Sequence, residues 1–441
     1  MDAGRLAPVP DQWPWWDGTP MEKSPFLRWG FTTGACVAAV LTASLLEQGS
    51  AQACDSILKP LPPLAPGQTG WVRLLFGDNR WRLLPLGPQL PQYPGFCVLR
   101  KNAGDDPDCT HGLLVAGRMQ RVQERTDNAG DTCSGDARDV VLRVGQALVV
   151  VHSLEGTGLV TLSGLDAPVG HWAINLSARE LIARNLARAG LDSGVWRADI
   201  ALCGGAALAA RTLNPSLGVQ GGLSILGTTG LVRPFSHEAY AASLRMSLRL
   251  ARQQSDCVVL GTGTRTLRAA RTWCAEHAAQ APHHPLAGLP PASFVAIADF
   301  VQESLEAVGT LHFRRLVLVC MPGKLLKIAA GCANTHAHKV PQAMALLARL
   351  CDELFPEERS KDGHRLATIA AAPSMRKALE ELTPAQQDRL LTHLGHRACA
   401  RLNALLREGE DGSSPPCLCA LLLVNVDGSV RQLFTPPGWQ D

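Results

Sequence analysis

Aromatic residues make up only 5% of this 441-residue chain. That shortage argues against platforms on which nucleic-acid bases stack. Charge of one sign is scarce as well, and a formal net charge of +3 is too small to make a nucleic-acid groove. The 14 cysteines are scattered, and none forms a CxxC pair, so the ligand spacings of a zinc site are missing. Cys417 and Cys419 are close, but they lie in an apolar run that reads as a strand. No apolar run approaches the roughly 20 residues of a membrane span. The opening "MDAGRLAPVPDQWPWWDGTP" lacks the apolar core and small-residue cleavage site of a secretory signal. These absences lead us to expect a cytoplasmic protein with reduced thiols, no nucleic-acid partner, no membrane contact and no metal site of its own.

What is there is a globular composition, 46% hydrophobic and 18% charged, with length for two or three domains. Residues 1–25 are rich in Pro and Trp and read as a flexible N-terminal extension. Residues 26–234 read as an α+β domain. There "TTGACVAAVLTASLLEQG" suits a helix capped by Thr32 or Thr33 and stopped by Gly49. The runs "VVLRVG", "ALVVVHS" and "GLVTLSG" suit strands, and "SARELIARNLARAG" a helix stopped at Gly190. Over residues 235–441 apolar strands alternate with helices, the pattern of a parallel sheet covered on both faces. The closing "CALLLVNVDGSVRQLFT" reads as a hairpin turning at Asp427 and Gly428.

The stretch "KNAGDDPDCTHG" puts Asp105, Asp106, Asp108 and His111 within seven residues. It suits a general base, a cation-holding site or an anchor for a positively charged ligand, or a solvated loop of Asx turns. "EGTGLVTLSGL" carries Gly156 and Gly158, which permit close backbone approach to a ligand or a plain hairpin turn. "LGVQGGLSILGTTGLVRPFS" offers exposed N–H groups, Thr228, Thr229, Gly230 and Arg233 to a carboxylate or phosphate; strand corners explain it too. Its "GTTG" echoes "FTTG" at Phe31–Gly34. "VVLGTGTRTLRAA" sets Gly261 and Gly263 between a strand and a helix, as in a nucleotide-binding turn, with Asp299 at the end of the next strand. "MPGKLLKIAAGCANTHAHK" places Lys324 in the first turn of a helix, where the dipole disfavours a cation unless an anion binds. It is not a Walker loop. Its Thr335, His336 and His338 are read as polar or substrate-facing groups rather than metal ligands.

Taken in order, "FLRWGFTTGACVAAV", "KNAGDDPDCTHG", "EGTGLVTLSGL", "AINLSARELI", "RTLNPSLGVQGGLSILGTTGLVRPFS" and "GKLLKIAAGCANTHAHK" resemble the CbiD family. These are the cobalt-precorrin-5B C1-methyltransferases of cobalamin biosynthesis. The resemblance implies an α+β domain followed by a Rossmann-like α/β three-layer domain, with the site between them. It implies methyl transfer from S-adenosylmethionine to C1 of a cobalt-precorrin tetrapyrrole, with cobalt present only as part of that substrate. The substrate's carboxylates would meet Thr32, Thr33, Gly34, Lys101, Thr110, Arg179, Thr229, Arg233 and Lys324. Asp105, Asp106 or Asp108 would hold the cationic donor or take a proton, and His111 would orient or relay. A homo-oligomer is left open. One departure stands out: where the family usually carries two glutamates before "TLNP", this chain has Ala206 and Ala207. That keeps two rivals in view, a corrinoid-binding carrier without turnover and, from the Gly/Thr loops, a nucleotide-using transferase.

Overall fold

The computed structural model describes residues 27–48, 69–122, 136–227, 229–234, 236–280, 284–332, 335, 343–356, 363–408 and 416–439. Gly49, Thr228, His336 and His338, singled out above, lie outside the described residues. The architecture is mixed α/β with several sheets. Two compact units divide the chain, Met1–Ser236 and His237–Asp441. No helix among the described residues is long and apolar enough to cross a membrane.

The first unit holds strands β1 (Gly30–Phe31), β2 (Gly70–Leu75), β3 (Trp81–Leu86), β4 (Cys97–Arg100), β5 (Leu114–Arg121), β6 (Val140–Val144), β7 (Ala147–Glu155), β8 (Leu159–Val160), β9 (Val195–Leu202), β10 (Val219–Gln220) and β11 (Leu231–Val232). Its helices are α1 (Thr33–Glu47), α2 (Leu176–Arg188) and α3 (Gly205–Ala209). A five-stranded sheet runs in the order β4-β5-β9-β7-β6. Within it β7 and β9 are parallel and the other pairs antiparallel.

Helix α1 is apolar all round, and every residue from Thr33 to Leu45 is buried. Such a helix belongs inside a core rather than on a surface. It lies against β4, β5, β2 and α2. Gly117 of β5 permits that approach, since a Cβ there would meet Val40 Cγ2 at 2.5 Å. Thr32 caps the helix, its Oγ1 accepting from the Ala35 N–H at 3.2 Å. Helix α2 is capped by Asn175 in the same manner and ends at Ala189, with Gly190 at φ +91°. Strand β1 pairs with β11, Gly30 opposite Val232 and Phe31 opposite Leu231, so the two ends of this unit meet.

The second unit carries β12 (Cys257–Gly261), β13 (Phe294–Ala296), β14 (Arg315–Cys320), β15 (Leu418–Val424) and β16 (Val430–Phe434). Its helices are α4 (His237–Gln254), α5 (Thr264–Gln280), α6 (Val301–Thr310), α7 (Pro322–Ala329), α8 (Met344–Leu354), α9 (Gly363–Ala371), α10 (Met375–Glu380) and α11 (Pro384–Glu408). The sheet order is β13-β12-β14-β15-β16, with the first four strands parallel and β16 returning antiparallel. Gly428, at φ +94°, sits in the expected closing turn. Alternate strand residues feed separate cores. Val258, Leu260 and Leu318 join Leu244, Leu305, Leu325 and Leu394. Val259, Val317 and Val319 join Ala270 and Cys274 of α5 on the other face. From β12 the chain goes first to one side, β13, and then to the other, β14. The carboxyl ends of β12 and β14 therefore flank the point where strand order reverses, where ligands bind in open parallel sheets.

Candidate active site

The five-stranded sheet of the first unit collects several sequence motifs at one end. Strand β4 runs into "KNAGDDPDCTHG", which returns as β5. The start of β5 pairs with the end of β9, Val115 opposite Leu202. The end of β9 pairs with the end of β7, Ala201 opposite Glu155. The acidic turn, "EGTG" and "CGGAA" are thus neighbours, although 100 positions separate the first from the last.

The acidic turn is held from two sides. Gly104, at φ +67°, lies so close to the preceding segment that a Cβ there would fall 2.2 Å from the Arg28 carbonyl oxygen. Gly30 faces Ala103 as closely, with its Cβ position 2.1 Å from the Ala103 carbonyl carbon. Only glycine meets both demands at 104. Arg28 donates to Asp105 from its backbone N–H (2.6 Å) and from Nε and Nη2 (3.1 and 3.0 Å). Lys101, 1% exposed, pairs with Asp108 and donates to Thr110 Oγ1 at 2.7 Å. Thr110 in turn donates to Asp108 Oδ1 from both its N–H (2.8 Å) and its hydroxyl (2.6 Å). Burial opposes ionisation of Asp108, but the Lys101 charge and these hydrogen bonds outweigh it and hold the carboxyl below its usual range. Lys101 also reaches the base of α1. There burial pushes the Cys36 thiol up to about 12, Lys101 drawing it down and Asp108 adding to the rise.

His111 is exposed, and its Nδ1 accepts the Ala103 N–H at 3.2 Å. A backbone N–H can only donate, so the neutral ring carries its proton on Nε2 and offers it as a donor. Arg28 and Lys101 hold Asp105 and Asp108 and so position the turn, in which Asp106 is half-buried and His111 exposed.

The two threonine loops do come together. Thr32 N donates to the Gly230 carbonyl at 2.9 Å and Gly34 N to the Leu226 carbonyl at 2.8 Å. A Cβ on Gly227 would meet Thr32 Oγ1 at 2.9 Å. Thr33 is buried in the first turn of α1, whereas Thr229 is exposed, its hydroxyl accepting from the Leu231 N–H at 3.2 Å. Arg233 stacks over Trp29, 5.9 Å from the ring centre. Arg179, on α2, donates from Nε to the Ile174 carbonyl at 2.7 Å, while its Nη2 is buried without a hydrogen-bond partner among the described residues. Burial draws its pKa down against the pull of Asp166.

Gly156 and Gly158 have a packing explanation. A Cβ at Gly156 would fall 2.0 Å from the Leu202 carbonyl oxygen, and one at Gly158 would lie 2.3 Å from Val219 Cγ1. The Leu202 backbone and the Val219 side chain fill the space these residues leave. Ala206 and Ala207 are exposed on α3, at this same end of the sheet.

In the second unit, Lys324 donates to the carbonyls of Thr262 (2.7 Å) and Ala298 (3.0 Å) and pairs with Asp299 at 3.1 Å. Those acceptors, at the carboxyl ends of β12 and β13, account for a cation in the first turn of α7 without an anion. Asp299 Oδ1 also accepts from Thr335 Oγ1 at 3.1 Å. Ala298, between them, is held at φ +48°, which strains a residue with a side chain. Gly261 is packed under Leu267, 2.3 Å from its Cγ, but the Cβ position of Gly263 opens onto empty space. Tyr240 stacks on Phe300 with ring centres 4.5 Å apart and donates to the Ala296 carbonyl at 3.3 Å. Sequence reading missed Tyr240 and Arg28. Each is distant in the chain from what it supports, and Arg28, although within "FLRWGFTTGACVAAV", gives no local sign of its partner.

Among the described residues, no group of three or more His, Cys, Asp or Glu side chains is placed to hold a metal ion. The CbiD family model matches residues 20–234, a span that includes the acidic turn and both threonine loops. A Nitratidesulfovibrio vulgaris protein named cobalt-precorrin-5B C(1)-methyltransferase is 32% identical over 369 residues, covering 81% of this chain and 82% of its own. A Paraburkholderia phytofirmans protein of the same name is 34% identical over 395 residues, covering 88% and 92%. One from Rubrobacter xylanophilus is 34% identical over 391 residues, covering 88% and 86%. The crystal structure of cobalamin biosynthesis protein (cbiD) from Archaeoglobus fulgidus is 22% identical, covers 70% of this chain and 81% of that one, and superposes with a TM-score of 0.31.

Proposed function

The chain belongs to the CbiD family, and from that premise we propose that it methylates C1 of cobalt-precorrin-5B in cobalamin biosynthesis, with S-adenosylmethionine as methyl donor. The observation that carries this reading is the likeness to proteins of that name, 32% to 34% identical across more than four-fifths of the chain. The donor supplies an electrophilic methyl group on a sulfonium. Gly261, Gly263 and Asp299, in a Rossmann-like second unit, fit its adenosine part. The space above Gly263 leaves room for a ligand, and an acidic side chain at the end of the neighbouring strand suits ribose hydroxyls.

In the first unit Thr32, Thr229, Arg179 and Arg233 supply hydroxyl and guanidinium donors to the tetrapyrrole's carboxylates. His111 adds an N–H donor at Nε2. Arg28 and Lys101 fix Asp105 and Asp108, and Asp106 is the carboxylate assigned to accept the proton that leaves as the carbon is methylated. Cobalt enters with the substrate. A cytoplasmic location belongs to the same reading. Holding both reactants in place supplies much of the rate in such a displacement.

A second reading, a carrier that binds the tetrapyrrole without turnover, rests on Ala206 and Ala207 facing solvent at the motif-bearing end of the sheet. Incubation with methyl-labelled S-adenosylmethionine and cobalt-precorrin-5B, followed by mass spectrometry of the tetrapyrrole, separates the two. One labelled methyl at C1 is expected. Tight binding without label would select the carrier.

A further inference from the structure

The two carboxylate oxygens of Asp299 have different surroundings. Lys324 Nζ lies 3.1 Å from Oδ1, and Thr335 Oγ1 donates to the same oxygen at 3.1 Å. Oδ2 has no hydrogen-bond partner among the described residues, and the side chain is 24% exposed. One oxygen is thus held by the protein and the other is open. The turn that carries them, residues 296–300, is tied to three elements. Ile297 N donates to the Gly261 carbonyl of β12 at 2.9 Å. Tyr240 of α4 donates to the Ala296 carbonyl at 3.3 Å, and Lys324 of α7 donates to that of Ala298 at 3.0 Å. Across the switch point, no atom lies within 4 Å of the Cβ position of Gly263. A fixed acceptor therefore stands at a place with room for a ligand.

We propose that Lys324 is a positioning residue for the adenosine part of the methyl donor: it holds Asp299 Oδ1 and the turn at residues 296–300, so that Oδ2 accepts a ribose hydroxyl. The inference rests on the reading of the second unit given above and lies wholly within that unit. Three oxygens surround the Lys324 ammonium within 3.1 Å, those of Thr262, Ala298 and Asp299, one for each of its N–H groups. No donor remains for a carboxylate of the substrate, which corrects the role expected from sequence. Its contacts also explain Ala298. A residue with a side chain stays at φ +48° only where its surroundings over-determine it, and such strain collects at ligand clamps.

The charges select the kind of ligand. The Lys324 ammonium already balances the Asp299 carboxylate, so a metal cation at Oδ2 would be repelled by the lysine. A phosphate would be repelled by the carboxylate itself. A neutral hydroxyl meets neither penalty and supplies the hydrogen that Oδ2 can accept.

The test is calorimetry on the full chain with adenosine and with 2′,3′-dideoxyadenosine, which lacks both ribose hydroxyls. Wild type should prefer adenosine by on the order of tenfold or more, since a site built to bond a hydroxyl rejects the analogue without it. Lys324→Met should weaken adenosine roughly tenfold and leave the dideoxy form little changed, so that the preference collapses. Thr335→Val keeps the shape of Thr335 and removes the other hydrogen bond to Oδ1. It should reduce the preference in the same direction, and it carries the test alone where Lys324→Met fails to fold. In an Asp299→Asn background Lys324→Met should change the preference no further. A lysine that only supports the fold would weaken both nucleosides alike. Equal loss for the two, or a preference that survives both substitutions, overturns the proposal. Assaying tetrapyrrole methylation alongside separates this inference from the reading beneath it. A wild type that transfers methyl groups yet shows no preference between the nucleosides overturns the inference alone. One that shows the preference but transfers no methyl sinks the reaction and leaves the ribose contact standing.

Discussion

Arg28 and Asp105 are joined by three hydrogen bonds, one from the arginine backbone and two from its guanidinium. They lie 77 positions apart, and their contact fixes where the acidic turn sits against the segment leading into α1. The arginine side chain is 35% exposed, so its pairing is worth little to global stability. Its work is positional. Arg28→Ala should therefore shift thermal unfolding by less than about 1 kcal/mol and lower methyl transfer by an order of magnitude or so. Turnover and calorimetric melting on one preparation check both halves.

Gly104→Ala tests the same contact from the backbone. The added Cβ would sit 2.2 Å from the Arg28 carbonyl oxygen, at a residue already in the left-handed region. A cost of about 2 kcal/mol or more is expected from strain plus displacement. Chemical denaturation should show it as a lower midpoint with an unchanged slope.

Asp108 gives a pH signature. Its carboxyl is held below the ordinary range in the folded protein, so its share of stability is fully present above the unfolded value of roughly 3.9 and lost as pH falls through the folded one. Asp108→Asn removes the partner of a lysine that is 1% exposed. It should destabilise the protein by about 2–3 kcal/mol at neutral pH, less than a fully buried pair because Asp108 keeps some exposure. The gap from wild type should narrow as pH falls below about 4. Denaturation curves for both proteins between neutral and acid pH measure it, and a constant gap would contradict the assignment.

Asp299→Asn addresses the second unit. The carboxylate already holds Lys324 and Thr335 through Oδ1. If it also receives ribose hydroxyls, the substitution should weaken S-adenosylmethionine roughly tenfold, with the homocysteine form equally affected because the ribose is common to both.

Local elements were legible in the sequence where their signals are local. Helix α1 begins at the threonine cap the pattern offered, and the final hairpin turns at Asp427–Gly428 as its residues suggest. The echo of "FTTG" and "GTTG" was visible, but not the contact between the loops, which depends on β1 meeting β11 some 200 positions away. Nor could spacing name the cations that hold Asp105 and Asp108, which are Arg28, from a segment more than 70 positions earlier, and a buried Lys101. The glycines of "EGTG" were legible as a demand for close approach, yet sequence could not say whether backbone or ligand would do the approaching.

The pairing of Gly30–Phe31 with Leu231–Val232 bears on how the protein comes to exist during synthesis. The acidic turn and α1 are made early, but the strand and threonine loop that meet them are made nearly last in this unit. Local contacts can form as the chain emerges, whereas this one must wait for almost the whole unit. A ribosome that stalls before residue 232 leaves a nascent chain with its aspartates in hand and the N-terminal edge of α1 uncovered. The contact between the threonine loops therefore forms only once synthesis of the unit is nearly complete.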